Sequence, residues 1–180
     1  FDTPVLLRLT TRICHTKSVV KLDHPIFVRK KKFRIDPQKY VLIPTFAKKR
    51  HKIIEERLKK LKEFSEKTKI NKIEKGSQKV GIITSSISYQ YAKEIFPEAP
   101  FLKLGMTWPL PDKLIKKFSR LVKKIYVIEE LDPFIENHIK NLEVKGKDLL
   151  PIEGELTPEI IEKSFCSKDK SEVKKKLDYP

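Results

Sequence analysis

From residue 79 onward the chain alternates short, continuous apolar runs with stretches whose apolar residues recur at helical spacing, the pattern of buried strands joined by covering helices. Val80-Gly81-Ile82-Ile83 is the first run, and the hydroxyls of Thr84, Ser85 and Ser86 behind it suit the capping of a helix that begins near Ser88. Tyr91 and Ile95 share a face of that helix, Pro97 and Pro100 close it, and Phe101-Leu102-Lys103-Leu104 makes a second strand before Gly105. After the loop Met106-Thr107-Trp108-Pro109-Leu110-Pro111, residues Leu114, Ile115, Phe118, Leu121 and Val122 repeat as the clearest amphipathic helix. Ile125-Tyr126-Val127-Ile128 is the third strand and delivers Glu129, Glu130, Leu131 and Asp132 to the carboxyl edge of the sheet. Asp132-Pro133 reads as an N-cap with proline at the first helical position, followed by Phe134, Ile135, His138, Ile139 and Leu142. Glu143-Val144-Lys145 is a last edge strand, and Thr157-Pro158-Glu159 opens a final helix with Ile160, Ile161 and Phe165. Crossovers this short permit only strand, helix and return, so a three-layer α/β/α fold around a mainly parallel sheet is expected.

The first 78 residues differ in kind. Pro4 to Thr10 reads as a buried strand, Pro25 to Phe33 as a basic extended stretch, and Ala47 to Phe64 as a long amphipathic helix using Ile54, Leu58, Leu61 and Phe64. Lys69 to Gln78 has no apolar face and reads as linker. These elements are too few to enclose a core, so the region is expected to pack on the α/β unit or on parts not in the sequence. The opening Phe1 suggests a segment of something longer.

Composition narrows the class. A hydrophobic share of 39% supports a folded core, and a charged share of 36% requires a densely ionic surface. No apolar run approaches the roughly 18 residues of a membrane span, and no signal-like start is present. The two cysteines, Cys14 and Cys166, are too far apart in sequence for a disulfide framework or a metal site, which suits a reducing cytoplasm. The formal charge of +16 raises nucleic acid as a partner. Against this, lysine dominates, the basic residues are spread along helices (Lys48, Lys49, Arg50, Lys59, Lys60, Lys116, Lys117, Lys123, Lys124, Lys174 to Lys176), and no stacking aromatics interleave them. A solvated, heat-tolerant surface fits better, and a basic nucleic-acid-binding module stands as the alternative reading.

Several residues carry candidate chemistry beside plainer readings. Thr10, Thr11, Arg12, Cys14 and His15 follow a strand-like run and combine groups able to meet a carboxylate or a subunit partner; a locally hydrogen-bonded turn is the plainer account. Thr84, Ser85, Ser86 and Ser88 resemble an anion cradle, but ordinary capping uses the same letters. Glu129, Glu130 and Asp132 suit capping or subunit salt bridges better than a metal site. Trp108, on a proline-stiffened loop, either makes an interdomain contact or covers its own core. His24, His51 and His138 are scattered without a helical ligand partner, and Cys14 and Cys166 read as small buried apolar residues.

The stretch KVGIITSSISYQYAKEIFPEAPFLKLGMTWPLPDKLIKKFSRLVKKIYVIEELDPFIENHIK resembles the domain that follows the pyrimidine-binding domain in alpha subunits of indolepyruvate ferredoxin oxidoreductases. Upstream, PVLLRLTTRICHTKSVV is similar to the end of the pyrimidine-binding domain, and its TTR-CH segment marks Thr11, Arg12 and His15 as interface or substrate-adjacent candidates. Downstream, GKDLLPIEGELTPEIIEK is similar to the approach to the next domain. The resemblance implies a transketolase C-terminal-like fold over residues 79–166, the end of the pyrimidine-binding domain plus a helical linker over 1–78, and the start of a further linker over 167–180. It implies an enzyme that decarboxylates aryl pyruvates such as indolepyruvate, transfers the acyl group to coenzyme A and passes electrons through 4Fe-4S clusters to ferredoxin. Thiamine diphosphate with magnesium, the flanking thiamine-binding domains and a beta subunit belong to the same implication. The sequence departs from the family in lacking its cysteine clusters and its Gly-Asp-Gly diphosphate motif, so no catalytic, cofactor-binding or metal residue is expected here. Ser86 also stands where the family's turn usually carries glycine, which argues against a close backbone approach there.

Overall fold

The computed structural model describes residues 1–30, 32–77 and 79–168, and the chain divides into two compact units, residues 1–60 and 61–180. In the first unit, α1 (Thr11–His15) and α2 (Pro37–Tyr40) are single turns, each started by a side chain: the Thr10 hydroxyl accepts from the Ile13 amide at 3.4 Å, and the Asp36 carboxylate from the Lys39 amide at 3.1 Å. α3 (Pro44–Lys67) is the expected long helix, extended at both ends. Pro4 to Thr10 forms no strand, contrary to its apolar pattern, because among the described residues this unit has no strand to offer it a hydrogen-bonding edge. Val5, Leu6, Leu7 and Leu9 are exposed instead. Within the unit Asp2 accepts from Lys39 Nζ at 2.7 Å, and Phe33 stacks on Tyr40 with ring centroids 6.1 Å apart.

The second unit holds the sheet: β1 (Lys72–Glu74), β2 (Val80–Ser85), β3 (Phe101–Leu104), β4 (Lys124–Ile128) and β5 (Val144–Lys145), in spatial order β1-β3-β2-β4-β5. β2, β3, β4 and β5 run parallel, and β1 pairs antiparallel with β3. The central strands are continuous apolar runs because both of their faces are covered. On one face Val80, Ile82, Phe101, Tyr126 and Ile128 pack beneath α4 (Ser86–Ile95) and α7 (Pro158–Lys168). On the other, Ile83, Leu102, Leu104, Ile125 and Val127 pack beneath α5 (Asp112–Ser119) and α6 (Phe134–His138). The three-layer α/β/α expectation therefore holds. Gly81 permits the second layer: an added Cβ would lie 2.7 Å from Phe118 Cζ and 2.8 Å from Val122 Cγ1.

β1 lies inside the segment read as linker. Lys72-Ile73-Glu74 carries one apolar residue, and its place comes from main-chain pairing with β3 rather than from any sequence period. Asn71, just before it, is buried and ties the end of α3 to the turn after β3: its amide donates to Ser65 O at 3.0 Å, and its Oδ1 accepts from the Gly105 and Met106 amides at 3.0 and 2.8 Å.

Candidate functional site

In a parallel sheet the loops at the carboxyl ends of the strands are where function collects, most of all where successive connections leave a strand in opposite directions. Here the connection through α4 carries the chain from β2 to its neighbour β3, and the one through α5 returns it across β2 to β4. The ends of β2 and β4 therefore flank the switch point.

At the end of β2 the hydroxyl caps expected of Thr84, Ser85 and Ser86 are not made. β2 ends at Ser85 and α4 begins at Ser86, with no side-chain hydrogen bond at the cap. The backbone makes the turn instead, with Ser86 in the left-handed region at φ 54°. Thr84 Oγ1 is buried without a hydrogen-bond partner. Because a non-glycine residue pays steric strain in that region and Ser86 caps nothing, Ser86→Gly is expected to stabilise the fold by about 1 kcal/mol, read as a rise in thermal midpoint of a few degrees.

At the end of β4 one of the acids, Glu129, is a cap, as one of their sequence readings held. Glu129 is buried, and its two carboxylate oxygens accept from the Ile135 amide at 2.8 Å and the Glu136 amide at 3.0 Å, closing the first turn of α6. The expected Asp132-Pro133 cap is displaced by one residue: Pro133 occupies the cap position, and the acceptor comes from Glu129, six residues upstream of Ile135. Burial pushes the Glu129 carboxyl up, with the two amides and Lys147 pulling the other way. Glu130 Oε1 accepts from the Leu156 amide at 3.0 Å. Lys147 Nζ donates to Glu129 O at 2.7 Å and Pro151 O at 3.0 Å, a tie that no sequence motif announced. Trp108 does not cover its own core: it is 59% exposed and meets Phe134 edge-on, with ring centroids 6.3 Å apart.

A third cluster joins helices. Glu66 accepts from the Lys113 and Leu114 amides, both at 2.9 Å, and so caps α5, while Asp112 pairs with Lys62 and with His138 Nε2 at 3.0 Å. A cavity of about 280 Å³ opens beside it, lined by Asp112, Lys116, Asn137, His138 and Lys140 among others. Burial alone would raise the Asp112 carboxyl, but the hydrogen bonds and charges of Lys62 and His138 outweigh it and hold the group below its ordinary value. A depressed carboxyl contributes stability above its unfolded pKa of 3.8 and loses it as pH falls through the folded value. Asp112→Asn is therefore expected to flatten the fall of stability on the acid side of pH 3.8 and to leave its shape near neutrality unchanged, measured as urea midpoint against pH.

Thr11, Arg12 and His15 lie on α1 in the first unit, with Thr11 and His15 exposed and Arg12 half-buried; Thr16 Oγ1 donates to Ile13 O at 2.8 Å on the same short helix. Cys14 is exposed rather than buried, since that helix contributes no buried residue. The side chain of Cys166 lies outside the described residues. His51, read as unpartnered, meets Glu55 one turn on at 3.2 Å. Among the described residues, no group of three or more His, Cys, Asp or Glu is placed to hold a metal ion, and no helix is long and apolar enough to cross a membrane.

The chain is 36% identical over 159 residues to indolepyruvate oxidoreductase subunit IorA of Archaeoglobus fulgidus, an overlap of 82% of this chain and 25% of that protein. It is 35% identical over 173 residues to the subunit of the same name from Pyrococcus abyssi (85% and 27%), and 30% identical over 172 residues to that of Methanothermobacter thermautotrophicus (90% and 28%). The chain thus spans about a quarter of the length of the curated relatives it matches. Among solved structures, 2-oxoglutarate:ferredoxin oxidoreductase from Magnetococcus marinus, with 2-oxoglutarate, coenzyme A and succinyl-CoA bound, shares its fold. The TM-score is 0.50 at 20% identity, over 67% of this chain and 23% of that one. No family model matches the chain.

Proposed function

Because the chain belongs to the family of indolepyruvate oxidoreductase subunit IorA, we propose that it is a piece of an oxidoreductase subunit that oxidatively decarboxylates aryl pyruvates such as indolepyruvate to acyl-CoA, with ferredoxin as electron acceptor. Within that enzyme, residues 79–166 act as an interdomain structural module, flanked by the end of a pyrimidine-binding domain and a helical linker (1–78) and by the start of the linker to the next domain (167–180). The observation that carries this reading is the identity to IorA subunits over more than four-fifths of the chain.

Loss of carbon dioxide from a 2-oxoacid leaves a carbanion that no amino-acid side chain can absorb, so the family's thiamine diphosphate supplies the electron sink when bound. The residues present do not fit that group or the 4Fe-4S clusters. Two cysteines in the whole sequence cannot supply the four thiolates a cluster takes, and Glu129 and Glu130 at the end of β4 are engaged by main-chain amides rather than turned outward as ligands. Thiamine diphosphate with magnesium and the clusters accordingly belong to other parts of a cytoplasmic enzyme, whose partners are the beta subunit and ferredoxin. What this chain supplies is positioning: a sheet with both faces covered, stiff enough to fix the separation of its neighbours. Thr11, Arg12 and His15 lie closest in sequence to the pyrimidine-binding side and are the residues proposed to face it.

The test is arylpyruvate-dependent ferredoxin reduction by the intact protein purified with its beta subunit. Turnover that requires thiamine diphosphate and coenzyme A is expected; an assembled, cofactor-loaded preparation that leaves ferredoxin oxidised with every aryl pyruvate would overturn the reading.

A further inference from the structure

Resting on that reading, we propose that the carboxyl edge of the sheet around Trp108 and Phe134 is a docking surface for a protein surface with an apolar recess and a basic rim, carried by another part of the same oxidoreductase subunit. Three large apolar side chains are presented there, from the loops that follow β3 and β4 and from the first residue of α6. Trp108 is 59% exposed, Phe134 48% and Leu131 46%, and the two rings lie edge-to-face at 6.3 Å. Leu131 is held at φ 62°, a left-handed conformation that a branched aliphatic residue adopts at a steric cost. A Trp with an aromatic neighbour at an exposed loop is the residue type that anchors protein contacts, because it buries a large rigid surface for little conformational entropy.

The charge around the patch runs against that of the chain. Over a sequence with a formal charge of +16, Glu129, Glu130, Asp132 and Glu136 gather about the ammonium of Lys147. Burial pushes that ammonium down, and the four carboxylates are all close enough to pull it back. Four carboxylates against the one positive charge of Lys147, which is anchored on the Glu129 and Pro151 carbonyls, leave the rim beside Leu131 and Phe134 acidic, with Asp132 exposed on it. An acidic rim repels nucleic acid and acidic electron carriers and selects a basic partner surface. The relatives are about four times as long as the stretch they share with this chain, which makes the rest of the subunit the nearest source of such a surface. A second copy of the chain is also basic, but a contact between its acidic edge and its basic helices is head-to-tail and leads to open arrays unless the rotation closes.

Hydroxyl-radical footprinting and zero-length carbodiimide crosslinking of the intact enzyme test this together. Trp108 is expected to oxidise severalfold more slowly in the native enzyme than in the same enzyme in denaturant, and Asp132 to crosslink to a lysine of the same subunit beyond the region matched here. Asp132→Lys is expected to restore severalfold faster Trp108 oxidation without changing the thermal midpoint. Trp108 oxidising at the same rate in native and unfolded enzyme would overturn the proposal, as would an Asp132 crosslink to residues 1–180 of a second copy. Arylpyruvate-dependent ferredoxin reduction, measured on the same sample, separates the two readings. Turnover with freely oxidised Trp108 removes the docking surface alone, and a protected, crosslinked Trp108 edge without turnover removes the enzymatic reading alone.

Discussion

Phe101→Ala is expected to destabilise the second unit by about 3–5 kcal/mol and to lower its thermal midpoint by roughly 10–20 °C. Phe101 opens β3, is wholly inaccessible, and meets Tyr89 of α4 edge-on at 5.7 Å. It is also paired on both sides, with Ile82 of β2 and Glu74 of β1, so the strand cannot shift to fill the space left by the ring. Lys93 of α4 lies 4.8 Å from the ring centroid, and that contact goes with it. Calorimetry of the wild-type and variant proteins checks the figure; a loss below about 1 kcal/mol would mean that the face beneath α4 and α7 repacks freely, against the close-packed core described here.

Glu129→Ala is the second large effect. It leaves the Ile135 and Glu136 amides at the start of α6 without an acceptor, and Ile135 is buried, so the cost is about 2–3 kcal/mol. Glu129→Gln keeps one acceptor and is expected to cost roughly half as much. The pH dependence has the opposite sign to that of Asp112. Burial raises the folded Glu129 carboxyl above its ordinary 4.5, so the group's contribution is fully present below the unfolded value and is lost as pH rises through the folded one. The penalty of Glu129→Gln should therefore grow as pH falls from 7 towards 4.5, measured by urea denaturation. A penalty that shrinks over that interval would show that the two amides and Lys147 outweigh burial at this carboxyl.

What the sequence disclosed follows from how each element is stabilised. β2, β3 and β4 were legible because strands covered on both faces are unbroken apolar runs, and α5 because Ile115 and Phe118 fall on one stripe. β1 was not: its burial comes from pairing with β3, and Lys72-Ile73-Glu74 carries no pattern that separates an edge strand from a linker. Pro4 to Thr10 erred in the other direction, since an apolar run becomes a strand only where an edge is available.

At the candidate site the side chains were nameable and their partners were not. That capping suited the acids after β4 could be argued from alternation along a strand. That Glu129 and not Asp132 would close α6 could not, because the cap reaches back across a tight turn in which Leu131 is left-handed. Ser86 was singled out as a departure from the glycine that the resemblance implies, and its φ of 54° is a conformation glycine adopts without strain. The pairing of Asp112 with His138 and Lys62 depends on packing between separate helices, for which no local signal exists.

The role proposed for the sheet unit is to hold the neighbouring parts of the enzyme in place. It is tested most directly by heating the intact oxidoreductase carrying Phe101→Ala and following two signals together: protease cleavage within residues 79–166, and arylpyruvate-dependent ferredoxin reduction. Both are expected to be lost at one temperature, below that at which the wild-type enzyme fails and while the absorbance of the proposed iron-sulfur clusters persists. Ferredoxin reduction that continues at the wild-type rate after the unit has been cleaved would contradict it.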